Sequence, residues 1–143
     1  MEHMSEYGYI RQLNKRKNEG PKPRPGETVI DVDRNNRVLG NPFPLEDKHD
    51  EVARARVIAL YNEKLEADFT IGGPMFIAVK AISRRVIAGE KIGLNCWCVP
   101  CACHSDIIAK RIVEMVQEVQ PDNPVLRNDP PPPPAPKLAE FEF

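Results

Sequence analysis

The chain has 143 residues, with 20 Lys or Arg, 21 Asp or Glu and 3 His, which gives a formal net charge of −1. This length suits one domain with flexible ends, and the near balance of charge excludes a general electrostatic attraction to nucleic acid or to an acidic membrane surface. No stretch approaches the roughly 18 consecutive apolar residues of a membrane helix, and no apolar leader follows the first Met. We therefore expect a cytoplasmic protein with no membrane partner.

Two strands and a helix are predicted in the first half of the chain. Residues 7–14 and 28–33 alternate branched or aromatic side chains with polar ones, a pattern typical of strands. The prolines and glycines that separate these strands predict an exposed loop, whose local basic character supports nucleic-acid binding only weakly. Residues 50–66 form an amphipathic pattern, which predicts a helix with Val52 on its apolar stripe and Arg54 off it.

A second helix, a third strand and a last helix follow. The segment 74–89 begins with a proline and has apolar residues at helical spacing, which predicts a helix. The short apolar segment 91–97 predicts a buried strand. Ser105 is a suitable capping residue for a final helix that ends by Gln120, since a proline follows.

These elements predict a small α/β domain of two or three layers, with the order β-β-α-α-β-α. We place it at residues 9–120, after a flexible arm over residues 1–8 and before a Pro-rich tail over residues 121–143. The prolines at 130–134 favour an extended polyproline II segment. The alternating apolar and acidic residues at 138–143 would let the tail add as a strand to a protein partner or to its own domain, unless the tail is disordered.

The candidate chemical site is the segment 96–104, which holds all four cysteines and one histidine. Four cysteines this close together in a chain that is not secreted indicate metal binding or catalysis rather than disulfides. In an extended strand Cys96 and Cys98 would point to one face and Trp97 would be buried on the other. The preferred ligands of a tetrahedral zinc are Cys96, Cys98, Cys103 and His104, and Cys101 is a possible substitute.

Two other interpretations of this segment remain open. In the first, Cys98 or Cys103 is a reactive thiolate, and Cys103 is favoured by its position at a helix N-terminus beside His104. In the second, the cysteines are small apolar residues that pack a tight junction between a strand and a helix.

The chain resembles a small phage and bacterial family known as domain of unknown function 4326. The resemblance covers roughly residues 10–115 and rests on two motifs, a Gly-Asn-Pro-Phe loop at 40–43 and a Cys-Trp-Cys-x-Pro-x-x-Cys-His segment at 96–104. Asp106 follows the second motif, and more loosely Asn14, Arg16 and Arg34 resemble family positions. The resemblance implies a small α/β domain of phage type, and Cys101 is not a position where the family is expected to have cysteine.

The resemblance also suggests that several polar residues share one edge of the sheet with His104. These candidate ligand-binding residues are Asn14, Arg16, Arg34, Asn41 and Asp106. Ligands of α/β folds bind where strands end and helices begin, and arginines at such an edge suit a phosphate or a carboxylate. The expectation fails if Arg16 and Arg34 lie on the opposite side of the domain from His104.

The leading functional prediction is a zinc-binding phage accessory domain with a polar cleft for a nucleotide-like or other anionic ligand, located in the host cytoplasm if a phage encodes it. The substrate, and whether the protein is an enzyme, are not predicted. The alternative is a protein without enzymatic activity that binds a host or phage partner through its tail, with the cysteines stabilising the fold. A thiol enzyme is the third possibility.

Overall fold

The computed structural model describes residues 7–16, 20–45, 47, 49–97 and 103–129. Within them the chain forms β1 (Tyr9–Asn14), β2 (Thr28–Asp31), α1 (Glu51–Ile71), α2 (Pro74–Ile87), β3 (Lys91–Cys96) and α3 (His104–Val119). The predicted α/β class and element order are confirmed. Most of the arm, Cys98, Cys101 and the tail from residue 130 lie outside the described residues. No helix of the described part is long and apolar enough to cross a membrane.

The three strands form one parallel sheet with the order β1-β3-β2. The register pairs Asn14 with Cys96 and Asp31 with Asn95, so the strands end close together. Because all three strands run the same way, their carboxyl ends lie along a single edge of the sheet. The segments that follow them, including the start of α3 after β3, therefore begin at this edge.

The two faces of the sheet are covered differently. One face carries Ile10, Ile92 and Leu94, which belong to a single core cluster with buried residues of α1, α2 and α3. The other face carries Arg11 and Leu13, both buried, and Arg11 bonds there to residues of the loop before β2 rather than to a helix. The domain thus has two layers, with the helices on one face and loops on the other.

The buried stripe of α1 differs from the prediction in two residues. Val52 is 74% exposed, whereas Arg54 is only 8% exposed. Arg54 precedes the buried residues Tyr61 and Leu65 by seven and eleven positions, and this spacing places all three on one face of the helix. The assignment of Arg54 to the solvent side was wrong because its charge, rather than its position, decided the prediction.

The segment after α3 packs along the free edge of β1. Ile10 donates its N–H to the carbonyl of Val125 and accepts a hydrogen bond from the N–H of Arg127. The Asn128 side chain accepts from the N–H of Gln12 at 2.8 Å. These bonds pair the edge strand, which would otherwise present open backbone groups. Residues 121–129, which the sequence analysis groups with the tail, therefore lie against the domain.

Candidate functional site

A cavity of about 340 Å³ opens at the carboxyl edge of the sheet. Its walls come from the loop after β2, the first turns of α1, the end of β3 and the start of α3. The lining residues are Asp33, Arg34, Asn35, Asn41, Phe43, Leu45, Arg54, Val57, Ile58, Cys96, Trp97, Cys103 and His104. This volume is at the small end of the range of about 300–1,000 Å³ that is typical of ligand cavities. The cavity therefore lies at the carboxyl edge of the sheet, which is the edge where parallel α/β folds bind their ligands.

Three potential metal ligands meet in the wall of this cavity. The ligand atoms of Cys96, Cys103 and His104 all lie within 4.8 Å of one another, and all three residues are buried. The two sulfur atoms are 2.8 Å apart, and the Cys103 sulfur is 3.5 Å from Nδ1 of His104. The end of β3 and the first residues of α3 therefore bring together two thiols and an imidazole.

The orientation of His104 leaves one ring nitrogen facing the thiols. Its Nε2 lies 2.5 Å from the carbonyl oxygen of Val32, and a carbonyl can only accept, so Nε2 carries the proton. In the neutral ring the lone pair is then on Nδ1, on the side of the Cys103 sulfur. A histidine that ligates a metal commonly donates its other N–H to a carbonyl in this way.

Tyr61 of α1 supports the imidazole from a second direction. Its ring packs edge-on against His104 with the ring centroids 5.0 Å apart. Its hydroxyl donates to the carbonyl of Leu39 at 2.6 Å, so Tyr61 also ties α1 to the loop after β2. Burial, with a smaller contribution from Cys103, raises the pKa of the Tyr61 hydroxyl well above its ordinary value. Tyr61 therefore stays a neutral hydrogen-bond donor.

The N-terminus of α3 is capped by Cys103, one of the three potential metal ligands. Cys103 is the N-cap residue, and its backbone N–H donates to Oδ2 of Asp106 at 3.2 Å. The Cys103 side chain in turn accepts from the backbone of the third helical residue, which completes a capping box. The prediction that Ser105 caps this helix was wrong, because the helix begins at His104 and Ser105 is buried within its first turn.

The Gly-Asn-Pro-Phe loop shapes the opposite wall of the cavity. A Cβ atom on Gly40 would lie 2.4 Å from the carbonyl oxygen of Asp33 and 2.5 Å from that of Asn36, so only glycine fits there. The Asn41 side chain accepts from the N–H of Phe43 at 2.9 Å. Arg34 donates to the carbonyls of Asn41 and Phe43 at 3.3 and 3.4 Å. These contacts fold the loop back toward the end of β2.

Trp97 lies at the cavity rim rather than in the core. It is 49% exposed, and its indole N–H donates to Oδ2 of Asp33 at 2.9 Å. The Lys15 ammonium lies 5.7 Å from its ring centroid and bonds to the same Asp33 oxygen at 2.7 Å. The expected burial of Trp97 was wrong because β3 ends at Cys96, and strand alternation does not apply beyond it.

The carboxylate of Asp33 is held in its ionised form. Burial alone would raise the pKa of this carboxyl, but hydrogen bonds from Lys15, from the backbone N–H of Asn35 and from Trp97, together with the charge of Lys15, lower it below its ordinary value. Asp33 thus contributes a fixed negative charge at the cavity, beside the positive charge of Arg34.

The candidate ligand-binding residues have separate places in the structure. Arg34 and Asn41 line the cavity with His104, whereas Asn14, Arg16 and Asp106 are not among its lining residues. The Asn14 side chain accepts from the backbone N–H of Arg16 at 2.7 Å, which shapes the turn after β1. Asp106 caps α3 and accepts from the Gln12 side chain at 2.7 Å.

Three functional candidates were missed in the sequence. The sequence places Asp33 in the predicted strand 28–33 and Arg54 off the apolar stripe of α1, and it gives Tyr61 no functional role. Each of the three carries a polar group, and each lies either among residues that the structure buries or just before a turn. For Arg54, its spacing to the apolar residues of α1 was the signal that could have identified it.

The donor set fits a soft or borderline transition metal. Two thiolates and an imidazole suit zinc better than the hard cations magnesium and calcium, which prefer oxygen. Zinc would be held by Cys96, Cys103 and His104, with the Val32 carbonyl as the partner of the imidazole N–H. The predicted ligands Cys98 and Cys101 lie outside the described residues.

Comparison with known proteins points to one family. Residues 13–114 match the family described as Domain of unknown function (DUF4326). No curated protein and no solved structure matches the chain significantly. The matched region contains both motifs that form the cavity walls, the Gly-Asn-Pro-Phe loop and the cysteine segment. Because the match covers most of the chain, the protein belongs to the DUF4326 family.

Proposed function

We propose that this chain is a zinc-binding α/β domain that holds a small anionic, nucleotide-like ligand in the cavity beside the metal. The observation that carries the proposal is the cluster of Cys96, Cys103 and His104, whose ligand atoms lie within 4.8 Å of one another in the cavity wall. Cys98 is the proposed fourth ligand, and Cys101 is its substitute. The setting in a phage rests on the family resemblance alone and stays a prediction.

The position of the cluster supports a role beyond stabilising the fold. With four protein ligands the zinc has no open coordination position, so the anionic ligand would bind in the cavity beside the metal and not to the metal itself. Here all three described ligand residues line a cavity that also carries the charged residues Arg34 and Arg54. Among the described residues Arg34 takes part in no ion pair; its Nε and Nη2 donate to loop carbonyls, and its Nη1 can donate to an anion.

The metal site is tested by counting metal per chain. The protein is purified under reducing conditions without a metal-affinity column and analysed by elemental mass spectrometry. We expect close to one zinc per chain, and a loss of most of it in Cys96→Ser, Cys103→Ser and His104→Asn. The matched control is His49→Asn, which changes an exposed histidine outside the cavity.

The same assay identifies the fourth ligand. Cys98→Ser lowers zinc occupancy if Cys98 is a ligand, and Cys101→Ser lowers it if Cys101 takes that place. Metal-free wild-type protein that remains folded would contradict the proposal.

A thiol function is the second candidate, because the Cys103 sulfur contacts the His104 imidazole at a helix N-terminus. It predicts that one cysteine of the metal-free protein is alkylated far faster than the others at neutral pH. Uniformly slow labelling would exclude it. The metal proposal is preferred because Cys96, Cys103 and His104 are all buried, which protects ligands but hinders attack on a substrate.

A binding function of the tail remains a third proposal. Asp129, the last described residue before the prolines, bonds to Arg11 at 3.0 Å and to Arg24 at 2.5 Å, so the root of the tail is fixed to the domain. Deletion of residues 130–143 would abolish binding of a protein partner and leave the zinc content unchanged.

A further inference from the structure

Trp97 is an exposed aromatic side chain with a fixed orientation. Large aromatic residues usually bury most of their surface, yet 49% of Trp97 is exposed and it lines the cavity. It is also the only tryptophan of the chain. Its exposure is not the result of a loose side chain, because its indole N–H is bonded to the buried carboxylate of Asp33.

The surroundings of the indole leave its ring surface as the part that a ligand meets. The N–H, which is the sole hydrogen-bonding group of the side chain, is already used by Asp33. Lys15 lies near the ring but is not a lining residue of the cavity. What Trp97 offers to the cavity is therefore a rigid aromatic surface, and such a surface binds planar aromatic rings by stacking.

The other residues that line the cavity restrict which chemical groups a ligand can carry beside its aromatic ring. Phe43, Val57 and Ile58 are apolar, and Arg34 brings a positive charge. The volume of about 340 Å³ suits one ring system with one anionic group, and it is small for a dinucleotide. A single compound that combines a planar heterocycle with a phosphate would match both the apolar side chains and the positive charge that line the cavity.

We propose that Trp97 is the stacking surface for the base of a nucleoside monophosphate, whose phosphate lies toward Arg34. This inference rests on the proposed function and specifies the ligand class of the same cavity. Because Nε and Nη2 of Arg34 already donate to the carbonyls of Asn41 and Phe43, the Nη1 group is the one that would donate to the phosphate. The base stacks on a ring that the Asp33 hydrogen bond has already oriented, so little conformational entropy is lost on binding.

The test uses the intrinsic fluorescence of Trp97, to which no other tryptophan contributes. The full-length, zinc-loaded protein is titrated with adenosine, guanosine, cytidine and thymidine 5′-monophosphates, and free N-acetyltryptophanamide corrects for absorption by the bases. We expect saturable quenching by at least one of the four. Ribose 5-phosphate, which has no base, should cause no quenching.

Substitutions of Trp97 and of Arg34 distinguish the contribution of stacking to the binding affinity from the contribution of charge. Measured by calorimetry, Trp97→Phe should retain most of the affinity, and Trp97→Ala should lose about 5- to 150-fold. Arg34→Gln should weaken the monophosphate far more than the nucleoside, because both ligands lose the loop contacts of Arg34 but only the monophosphate loses the charge that its phosphate meets. Arg84→Gln is the matched control, since Arg84 is an exposed arginine of α2 that does not line the cavity.

The outcomes distinguish this inference from the proposed metal site. Zinc at one per chain with no quenching by any nucleotide overturns the inference and leaves the metal site standing. Quenching without bound zinc supports the inference and overturns the metal site. Equal affinities of wild type and Trp97→Ala overturn stacking, and binding of a short single-stranded oligonucleotide without binding of any monophosphate overturns the assignment to a free nucleotide.

Discussion

Gly40 of the Gly-Asn-Pro-Phe loop offers a sharp test of how the cavity is built. In Gly40→Ala the new Cβ would lie 2.4 Å from the Asp33 carbonyl oxygen and 2.5 Å from that of Asn36. Both are backbone atoms, so the loop must move as a unit. Overpacking of this kind costs about 1–3 kcal/mol. For a domain of this size that is a fall in Tm of roughly 3–10 °C.

The displaced atoms connect this loss of stability to function. Asp33 precedes Arg34 and holds the indole of Trp97, so movement of its backbone changes the cavity. We expect Gly40→Ala to weaken the binding of a nucleoside monophosphate more than it weakens zinc binding, because the described metal ligands Cys96, Cys103 and His104 lie at the end of β3 and the start of α3 and not on this loop. Thermal and denaturant unfolding and the fluorescence titration measure these effects.

Gly26→Ala is the matched control. Gly26 has a φ of 86°, and a Cβ there would meet no atom within 4 Å. This substitution carries only the cost of a left-handed backbone, about 1–2 kcal/mol, and should leave the cavity unchanged. If Gly40→Ala were as stable as wild type and bound ligand normally, the role assigned to Gly40 would be refuted.

Three further predictions concern the supports of the fold. Tyr61→Phe leaves the buried carbonyl of Leu39 without its 2.6 Å hydrogen bond, so calorimetry should show a loss of about 1–3 kcal/mol with unchanged zinc content; no loss would contradict this role. Burial alone would raise the pKa of Glu27, but hydrogen bonds from its neighbours lower it below 4.5. Its contribution to stability is therefore present above about pH 4.5 and disappears as the pH falls through the lowered value, and Glu27→Gln should flatten the acid limb of denaturant midpoints measured from pH 6 to 3. Gly93→Ala would place a Cβ 2.3 Å from Cδ1 of the buried Leu13, and chemical unfolding should report about 1–3 kcal/mol of destabilisation.

The order of the elements could be predicted because each has a strong local signal. The alternating residues of β1 and the apolar spacing of α2 are patterns that neighbours in sequence determine. The proximity of Cys96 to His104 could be predicted because only the seven residues 97–103 separate β3 from α3 in the sequence. The parts of the site that lie within one segment of the chain could therefore be predicted from the sequence.

Features that depend on distant segments could not be predicted in this way. Arg54 reaches the cavity because the first turns of α1 form part of its wall, and a charged residue gives no apolar signal. The segment 121–129 has no periodic pattern and is held by individual bonds, such as that from the Asn123 side chain to the carbonyl of Gly8 at 3.0 Å. The orientation of Trp97 depends on its hydrogen bond to Asp33, which lies 64 positions earlier on the loop after β2.

The central claim is that Cys96, Cys103 and His104 share one metal ion, and cobalt substitution tests it most directly. Cobalt(II) bound by thiolates absorbs intensely in the near ultraviolet, and in four-coordinate geometry its visible bands are strong. We predict both features at one cobalt per chain, with a weaker thiolate band in Cys96→Ser and in Cys103→Ser, and displacement of cobalt by one equivalent of zinc. A weak spectrum typical of six oxygen or nitrogen ligands, unchanged by either substitution, would contradict the account.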